Sequence, residues 1–234
     1  MKMNTSTTTD ELKKLMRIPA NACNIEDIFD KIANILKNEC VIKYEGNEYR
    51  ILDFEFYYYN KNHQDISVHP RNSEALCWYI NDFGGIDLNF ESKIKRSPFS
   101  FKYELTDNSY FGGILLRQIQ CISNDDKRIY DSPLKVAELF RILDATSQKQ
   151  NNPILETRPL DTEIEFQEPL IRHNLLGSHK DNPKAKADYN LRECFVDVPE
   201  PKKRKLEEEL KFYSKKKYRY CYKRCPNSKG PKSY

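Results

Sequence analysis

The segment from Tyr49 to Tyr58 predicts a β-strand that presents two carboxylates and a tyrosine together. Side chains alternate between the two faces of a strand. The core face would carry Leu52, Phe54 and Phe56, and the opposite face Asp53, Glu55 and Tyr57. A carboxylate held on a regular, rigid element is what general-base catalysis requires. The alternative is the solvent face of an antiparallel sheet, and the strand alone favours that alternative.

Arg117 lies in the middle of a second, apolar strand that the sequence predicts over Gly112–Ile122. A guanidinium in so apolar a strand is expected to be partly buried, and a buried guanidinium needs an acceptor. Glu55 or Asp53 on a neighbouring strand is the candidate acceptor. The arginine could form a purely structural ion pair, or it could orient a carboxylate and a water for catalysis. Both interpretations predict this contact.

The segment from Trp78 to Asn89 predicts a strand, a turn and a returning strand, with Phe83 in the turn. An apolar aromatic side chain at a glycine-flanked tip can act as an intercalating wedge for nucleic acid. The alternative is packing against the body of the protein. His69 follows a polar loop, where a single histidine is more often a surface residue than part of a site.

The elements that must position these residues predict one α+β domain. Apolar spacing predicts an amphipathic helix from Ile25 to about Asn38. A hairpin should follow, with Cys40–Tyr44 and Tyr49–Tyr58 joined at Gly46. We expect a flexible N-terminus over 1–20, a domain with a curved, mostly antiparallel sheet flanked by helices over 21–200, and a basic tail over 201–234.

Composition narrows the class of protein. No run approaches the roughly 20 apolar residues that a membrane span needs, so we expect an intracellular protein with no membrane partner. The seven cysteines are odd in number and mostly scattered, which indicates reduced thiols. Cys221 and Cys225 form a CxxxC pair, but two further zinc ligands are missing nearby, so we predict no metal site.

The charge is unevenly distributed along the chain. Residues 201–234 hold 13 Lys/Arg and 3 Glu, a net of +10, whereas residues 1–200 hold 26 basic and 32 acidic residues, a net of −6. Such a basic segment is typical of an electrostatic arm that contacts nucleic acid. A solvated tail that only aids solubility is the alternative, and charge alone does not separate the two.

Five short motifs, in order and at similar spacing, resemble the alkyladenine (3-methyladenine) DNA glycosylase family. Ile51–Tyr57 is similar to its strand E-T-E-A-Y, and Asp65–His69 to its D-x-x-S-H stretch. The third motif, Trp78–Ile80 with Asp82–Gly84 and Asn89, is similar to the family's Y-x-x-Y-G hairpin and following asparagine. The fourth, Ile114–Arg117, is similar to V-L-L-R. The fifth, Ser132–Lys135 with Leu139, is similar to G-P-x-K-L-x-x-A-L. The resemblance covers about residues 45–198 and is most specific over 51–139.

The resemblance implies a monomeric, monofunctional enzyme of base excision repair that acts on duplex DNA containing damaged purines and needs no cofactor. Its motifs imply a role for each matching residue: Glu55 as the general base, Arg117 holding Glu55 and the water, Tyr57 and His69 on one side of the flipped base, Tyr79 facing it, Asn89 excluding wrong purines, and Phe83 filling the gap in the duplex. If the source is eukaryotic, the protein would be nuclear.

The match has departures, and other functions remain open. The spacing from Glu55 to His69 is about three residues longer than in the family, and an extra residue before Phe83 leaves the choice between Tyr79 and Ile80 open. The match of Arg192–Val196 to the family's final R-F-x-V is loose. The alternatives are a non-catalytic nucleic-acid-binding relative, a hydrolase acting on RNA or a free nucleoside, and an interaction module whose tail is an addressing signal.

Overall fold

A computed structural model describes residues 5–80, 85–123, 127–140, 152–160, 164–172 and 189–223. The helices in these ranges are α1 (Thr5–Leu15), α2 (Ile25–Asn38), α3 (Pro133–Phe140), a short π-helix (Asn190–Cys194) and α4 (Glu200–Tyr213). The strands are β1 (Cys40–Tyr44), β2 (Asn47–Asn60), β3 (His63–Gln64), β4 (Trp78–Ile80), β5 (Ile86–Asn89), β6 (Lys95–Arg96), β7 (Tyr103–Glu104), β8 (Phe111–Cys121), β9 (Ile129–Tyr130), β10 (Ile154–Thr157) and β11 (Arg219–Cys221).

Strand β2 is the centre of a curled, nine-stranded antiparallel sheet. The main path runs β10-β1-β2-β8-β5-β4. Strand β2 pairs with β8 over most of its length, and with β1, β11 and β3 at successive stretches. A separate two-stranded hairpin joins β6 and β7. This confirms the predicted α+β class with a curved antiparallel sheet and flanking helices.

The sheet is covered on both faces, so almost all of β2 is buried. One face carries Phe54, Phe56 and Tyr58 in a core that includes α2 and α3 residues such as Phe29 and Phe140. The other face carries a second hydrophobic cluster, whose members include Tyr57, Tyr59, Leu115, Leu191, Phe195, Leu206 and Leu210. The face that holds Asp53 and Glu55 is therefore not open to solvent, contrary to the simpler interpretation of the strand.

The local predictions for the first half of the domain are confirmed. Helix α2 has the expected bounds, Ile25–Asn38. The turn between β1 and β2 places Glu45 at φ 48° and Gly46 at φ 77°. Positive φ at both central residues is typical of a two-residue hairpin, and glycine adopts it without steric cost. The Ser132 hydroxyl accepts a hydrogen bond from the Lys135 backbone N–H and so caps the start of α3.

The segment after residue 200 differs from the expected appendage. Helix α4 buries Leu206, Leu210 and Tyr213 against the domain, and β11 joins the sheet beside β2. Its apolar residues recur at positions 206, 210 and 213, which gives a highly charged helix one buried stripe. Before this segment, the short π-helix spans Asn190–Cys194.

None of the helices in the described ranges is long and apolar enough to cross a membrane.

His63 is a buried histidine that joins the C-terminal segment to the sheet. Its Nδ1 lies 2.8 Å from the Tyr58 carbonyl oxygen and its Nε2 lies 3.1 Å from the Tyr218 hydroxyl. Its ring also contacts Tyr213, with centroids 4.2 Å apart. Burial lowers the pKa of His63 from 6.5 to about 4, so the folded protein holds a neutral imidazole at neutral pH.

This burial makes stability depend on pH. The unfolded chain takes up a proton on His63 near pH 6.5, and the folded protein only near pH 4. Stability should therefore be full above pH 6.5 and fall as pH drops toward 4, by about 3 kcal/mol from this residue. Urea denaturation of wild type and His63→Gln across this range should show a shallower pH dependence for the variant. Parallel curves would contradict the assignment.

Candidate functional site

The strand register places five side chains in one row across the sheet. Glu55 on β2 is opposite Arg219 on β11 and Leu115 on β8. Leu115 is opposite Asp87 on β5, and Asp87 is opposite Tyr79 on β4. Directly opposed residues of antiparallel strands lie on the same face. We call these five residues the site row, and it extends from the C-terminal segment to the β4–β5 hairpin.

Glu55 is completely buried at the centre of this region. Its Oε2 accepts a hydrogen bond from the Tyr57 hydroxyl at 2.8 Å and lies 3.5 Å from Nη1 of Arg117. Its Oε1 lies 3.8 Å from Nε of Arg219. Two guanidinium groups thus compensate the charge of the carboxylate, and a phenol fixes one of its oxygens. The contact between Arg117 and Glu55 that the sequence predicts is confirmed.

Asp53 is the second buried carboxylate of β2 and is bound by the same two arginines. Arg219 donates to both of its oxygens, at 3.0 Å from Nε and 2.6 Å from Nη2, and Arg117 Nε lies 3.6 Å away. Burial raises the pKa of Asp53, and the hydrogen bonds and charge of Arg219 oppose that shift. The fork geometry of an arginine suits such two-point binding of a carboxylate, so Asp53 holds Arg219 beside Glu55.

Arg172 and Asp65 form a further buried ion pair beneath Tyr57. Arg172 Nη1 lies 2.5 Å from Asp65 Oδ2, and the guanidinium carbon lies 4.6 Å from the centre of the Tyr57 ring. Arg172 also donates to the backbone carbonyls of Phe56 and Tyr213. Burial, the largest single effect, raises the pKa of the Asp65 carboxyl, but the neighbouring positive charge and the hydrogen bonds from Arg172 and Ser67 together outweigh it, so the pKa is lowered overall. Because of this support, the Tyr57 ring is held in place.

The other end of the site row is an arrangement of rings and a guanidinium. Arg71 lies 4.4 Å above the Tyr79 ring and 2.9 Å from Asp87. The rings of His69 and Tyr79 are 6.5 Å apart at their centroids, with planes inclined by 28°. Gly113 makes room for Arg71, because a Cβ at this position would lie 2.2 Å from Arg71 Nη2.

Asn89 lies in the next row of the same face, opposite Gly113. Its side-chain amide nitrogen lies 2.7 Å from the Ser73 hydroxyl. Its Oδ1 is buried and has no hydrogen-bond partner within the described part of the chain. A buried acceptor of this kind can select a ligand that carries a donor.

The π-helix brings Cys194 to His69, a contact that no motif in the sequence indicates. Cys194 Sγ lies 3.8 Å from His69 Nδ1 and 3.8 Å from Asn190 Oδ1. Asn190 in turn donates to the backbone carbonyls of Ile66 and Val68. These bonds fix the loop that carries His69.

The structure assembles most of the site residues that the sequence singles out. Glu55, Tyr57 and Arg117 are in contact, and Tyr79 with His69 forms a second group on the same face as Asn89. Phe83 lies outside the described residues. The sequence analysis assigned no role to Arg219, Arg172 or Arg71. The alternation Tyr218-Arg219-Tyr220-Cys221 is a strand signal, but the lysine run before it favours a solvated tail.

The carboxylates, phenol and guanidinium groups of the site can exchange protons and stabilise charge. Among the described residues, no three His, Cys, Asp or Glu side chains are arranged to hold a metal ion. Cys221 is buried, and Cys225, its partner in the CxxxC pair, lies outside the described ranges.

Comparisons with known proteins give little information about function. The chain is 30% identical over 113 residues to an uncharacterized protein, L759, of Acanthamoeba polyphaga mimivirus. The match covers 43% of this chain, and the chain spans about half, 51%, of that protein's length. No protein-family model matches the chain, and no solved structure matches it. The assignment of function must therefore rest on the site itself.

The role of Arg219 in the site can be tested by its removal. Arg219→Ala should lower the free energy of unfolding by about 3 kcal/mol, because Asp53 loses two charge-assisted hydrogen bonds while buried. Arg204→Ala is the matched control, since Arg204 is exposed and only pairs with Glu200 one turn away. Its cost should be below about 0.5 kcal/mol. Equal costs in urea denaturation would show that Arg219 is dispensable.

Gly113→Ala tests the close approach of Arg71 to the sheet. The added methyl group would displace a guanidinium that is 4% exposed and bound to Asp87, so unfolding free energy should fall by about 1–3 kcal/mol. A second substitution, Arg71→Ala, removes the group that collides with the methyl. In a double-mutant cycle, Gly113→Ala should then cost clearly less on the Arg71→Ala background. Additive costs would contradict the contact.

Proposed function

We propose that the protein is a monomeric DNA glycosylase that hydrolyses the N-glycosidic bond of an alkylated or otherwise damaged purine. The observation that carries the proposal is the buried Glu55 carboxylate, bound by Tyr57 and Arg117 on the sheet face that also presents Tyr79. The resemblance of five motifs to the alkyladenine DNA glycosylase family supports the same activity.

The proposed reaction begins with base flipping, because the bond to be cleaved is inaccessible inside a base stack. As the bond between the sugar and the purine breaks, both bonding electrons leave with the base and positive charge develops on the sugar. Glu55 stabilises this charge and accepts a proton from the attacking water, whose oxygen bonds to the sugar carbon. A purine that carries a positive charge through alkylation leaves as the neutral base, whereas an uncharged purine takes up the proton that Glu55 has accepted. The products are a free base and an abasic site.

The neighbouring residues have separable roles in this proposal. Arg117 orients Glu55 and the water. Tyr57 stays protonated, because burial and the adjacent carboxylate raise its pKa well above the usual value. Its hydroxyl therefore donates a hydrogen bond to Glu55. None of the five residues in the site row is a lysine, so we propose direct hydrolysis without a Schiff base.

Recognition of the damaged base would use the second group of residues. The rings of His69 and Tyr79, inclined by 28°, offer flat surfaces for stacking. Asn89 offers a buried acceptor that discriminates between purines by their hydrogen-bond donors. Phe83 would fill the gap that the flipped nucleotide leaves in the duplex.

One observation favours a second function, a non-catalytic nucleic-acid-binding relative. Glu55 is completely buried, and one of its oxygens already accepts a hydrogen bond from Tyr57. A carboxylate whose hydrogen-bond and charge partners are all provided by the protein can be the acidic half of a purely structural ion pair. In that case the rings and cations of the site would bind DNA without turnover.

The test uses duplex oligonucleotides with a single hypoxanthine, ethenoadenine or 3-methyladenine-like lesion, and alkali to reveal abasic sites. Wild type should produce abasic sites at a damaged base. Glu55→Gln should reduce the excision rate by about a hundredfold or more, because the general base is lost, while duplex binding is retained.

Glu91→Gln serves as the control, because Glu91 pairs with Arg17 at the surface and should leave excision unchanged. Binding without excision by wild type would favour the non-catalytic function. Excision that survives Glu55→Gln would show that another group is the base.

A further inference from the structure

The β6–β7 hairpin carries two phenylalanines that the fold leaves in water. Phe99 is 96% exposed and Phe101 is 88% exposed, and both lie in the loop between Arg96 and Tyr103. Burying one phenylalanine contributes about 1.5–3 kcal/mol, so two exposed rings two residues apart forgo a large stabilisation. Exposed aromatic groups of this kind commonly mark an interaction surface.

Hydrogen bonds close the loop between β6 and β7, so its backbone holds the two rings in a defined position. The Ser97 backbone N–H donates to the Lys102 carbonyl at 2.9 Å. The hydroxyls of Ser97 and Ser100 accept hydrogen bonds from the backbone N–H groups of Phe99 and Lys102. The Arg96 guanidinium lies 5.6 Å from the Phe101 ring centre. Phe99 and Phe101 therefore lie at the tip of a hydrogen-bonded hairpin.

The base of the hairpin is anchored on the face of the sheet that carries Glu55. Ile94 belongs to the cluster that includes Tyr57 and Leu115, and Tyr103 packs against that cluster. Leu115 is in the site row. Tyr103 also bridges to Phe195, and the Val196 N–H donates to the Tyr103 carbonyl. A partner bound at the tip of the hairpin would thus meet the protein on the same side as Glu55.

The charge of the hairpin indicates a polyanionic partner. Residues 93–104 contain four basic residues, Lys93, Lys95, Arg96 and Lys102, and one acidic residue, Glu104. Lys95 is paired with Glu104 at 2.6 Å, while Lys93 and Arg96 are exposed. Aromatic rings that stack on bases, with cations beside them for phosphates, are the combination that nucleic-acid-binding surfaces use.

We propose that the β6–β7 hairpin is a second DNA-contacting element, in which Phe99 and Phe101 stack on bases left unstacked beside the lesion and Lys93 and Arg96 bind adjacent phosphates. This rests on the proposed function for the choice of DNA as the partner, but it does not require catalysis. The hairpin supplies an apolar contact that is independent of Phe83.

The experiment measures binding of a fluorescein-labelled duplex with one tetrahydrofuran abasic analogue, by anisotropy over a range of salt concentrations. All variants carry Glu55→Gln, so that excision does not affect the measurement. Phe99→Ser/Phe101→Ser should weaken binding about tenfold or more with an unchanged salt slope. Lys93→Gln/Arg96→Gln should instead reduce the slope of log K against log salt by about one for each residue.

The matched control is Leu134→Ser/Ile154→Ser, which removes two half-exposed apolar side chains on α3 and β10, 51% and 59% exposed. This control should bind as its parent does. Because all four substituted apolar residues are exposed, urea denaturation should show that every variant remains folded.

The outcomes separate this proposal from the proposed function. Hairpin-dependent binding in the Glu55→Gln series, together with no excision of any lesion by wild type, would support the hairpin and overturn the glycosylase. Binding that survives Phe99→Ser/Phe101→Ser, together with excision by wild type, would overturn the hairpin alone, whereas no binding of the duplex at low salt would overturn both proposals. The hairpin proposal also fails if these substitutions abolish binding to phosphatidylserine vesicles but leave DNA binding intact.

Discussion

The buried carboxylates of β2 are the constraint on which the rest of the structure depends. Asp53 and Glu55 are both fully buried, and a buried charge is tolerated only when it is paired and hydrogen-bonded. Arg117 meets this requirement from β8 on one side and Arg219 from β11 on the other. The sheet must therefore place both strands beside β2, which links the end of the described chain to its centre.

This linkage changes the role of the basic C-terminal segment. Charge alone predicts an appended tail, either solvated or in contact with nucleic acid, yet the segment contributes a helix with a buried stripe, a strand and an arginine of the site. Arg219 therefore has a structural role that the exposed lysines of this segment do not share, because it pairs with the buried carboxylates. A truncation at residue 200 would remove Arg219 together with the lysines, and its effect on DNA binding would not measure electrostatics alone.

The site has charged groups at its centre on a long strand, and aromatic groups around them on a loop and a short strand. Glu55 and Tyr57 are held by β2, by the arginines and by the Arg172–Asp65 pair. His69 lies on a loop fixed by Asn190, and Tyr79 lies on a short strand near the sheet edge. Pre-organised charge at the centre suits catalysis, whereas aromatic groups on loops and hairpins suit binding of a bulky partner. The two halves of the proposed function thus correspond to different parts of the fold.

The sequence by itself determined the α+β class, helix α2, the β1–β2 hairpin and the pairing of Arg117 with a carboxylate. These follow from local periodicity, from turn chemistry and from the need of a buried guanidinium for an acceptor. Only the tertiary structure decided that Arg219 and Arg172 join the site, since these contacts span more than a hundred residues. Periodicity reports which face a residue occupies, but not which distant strand lies beside it.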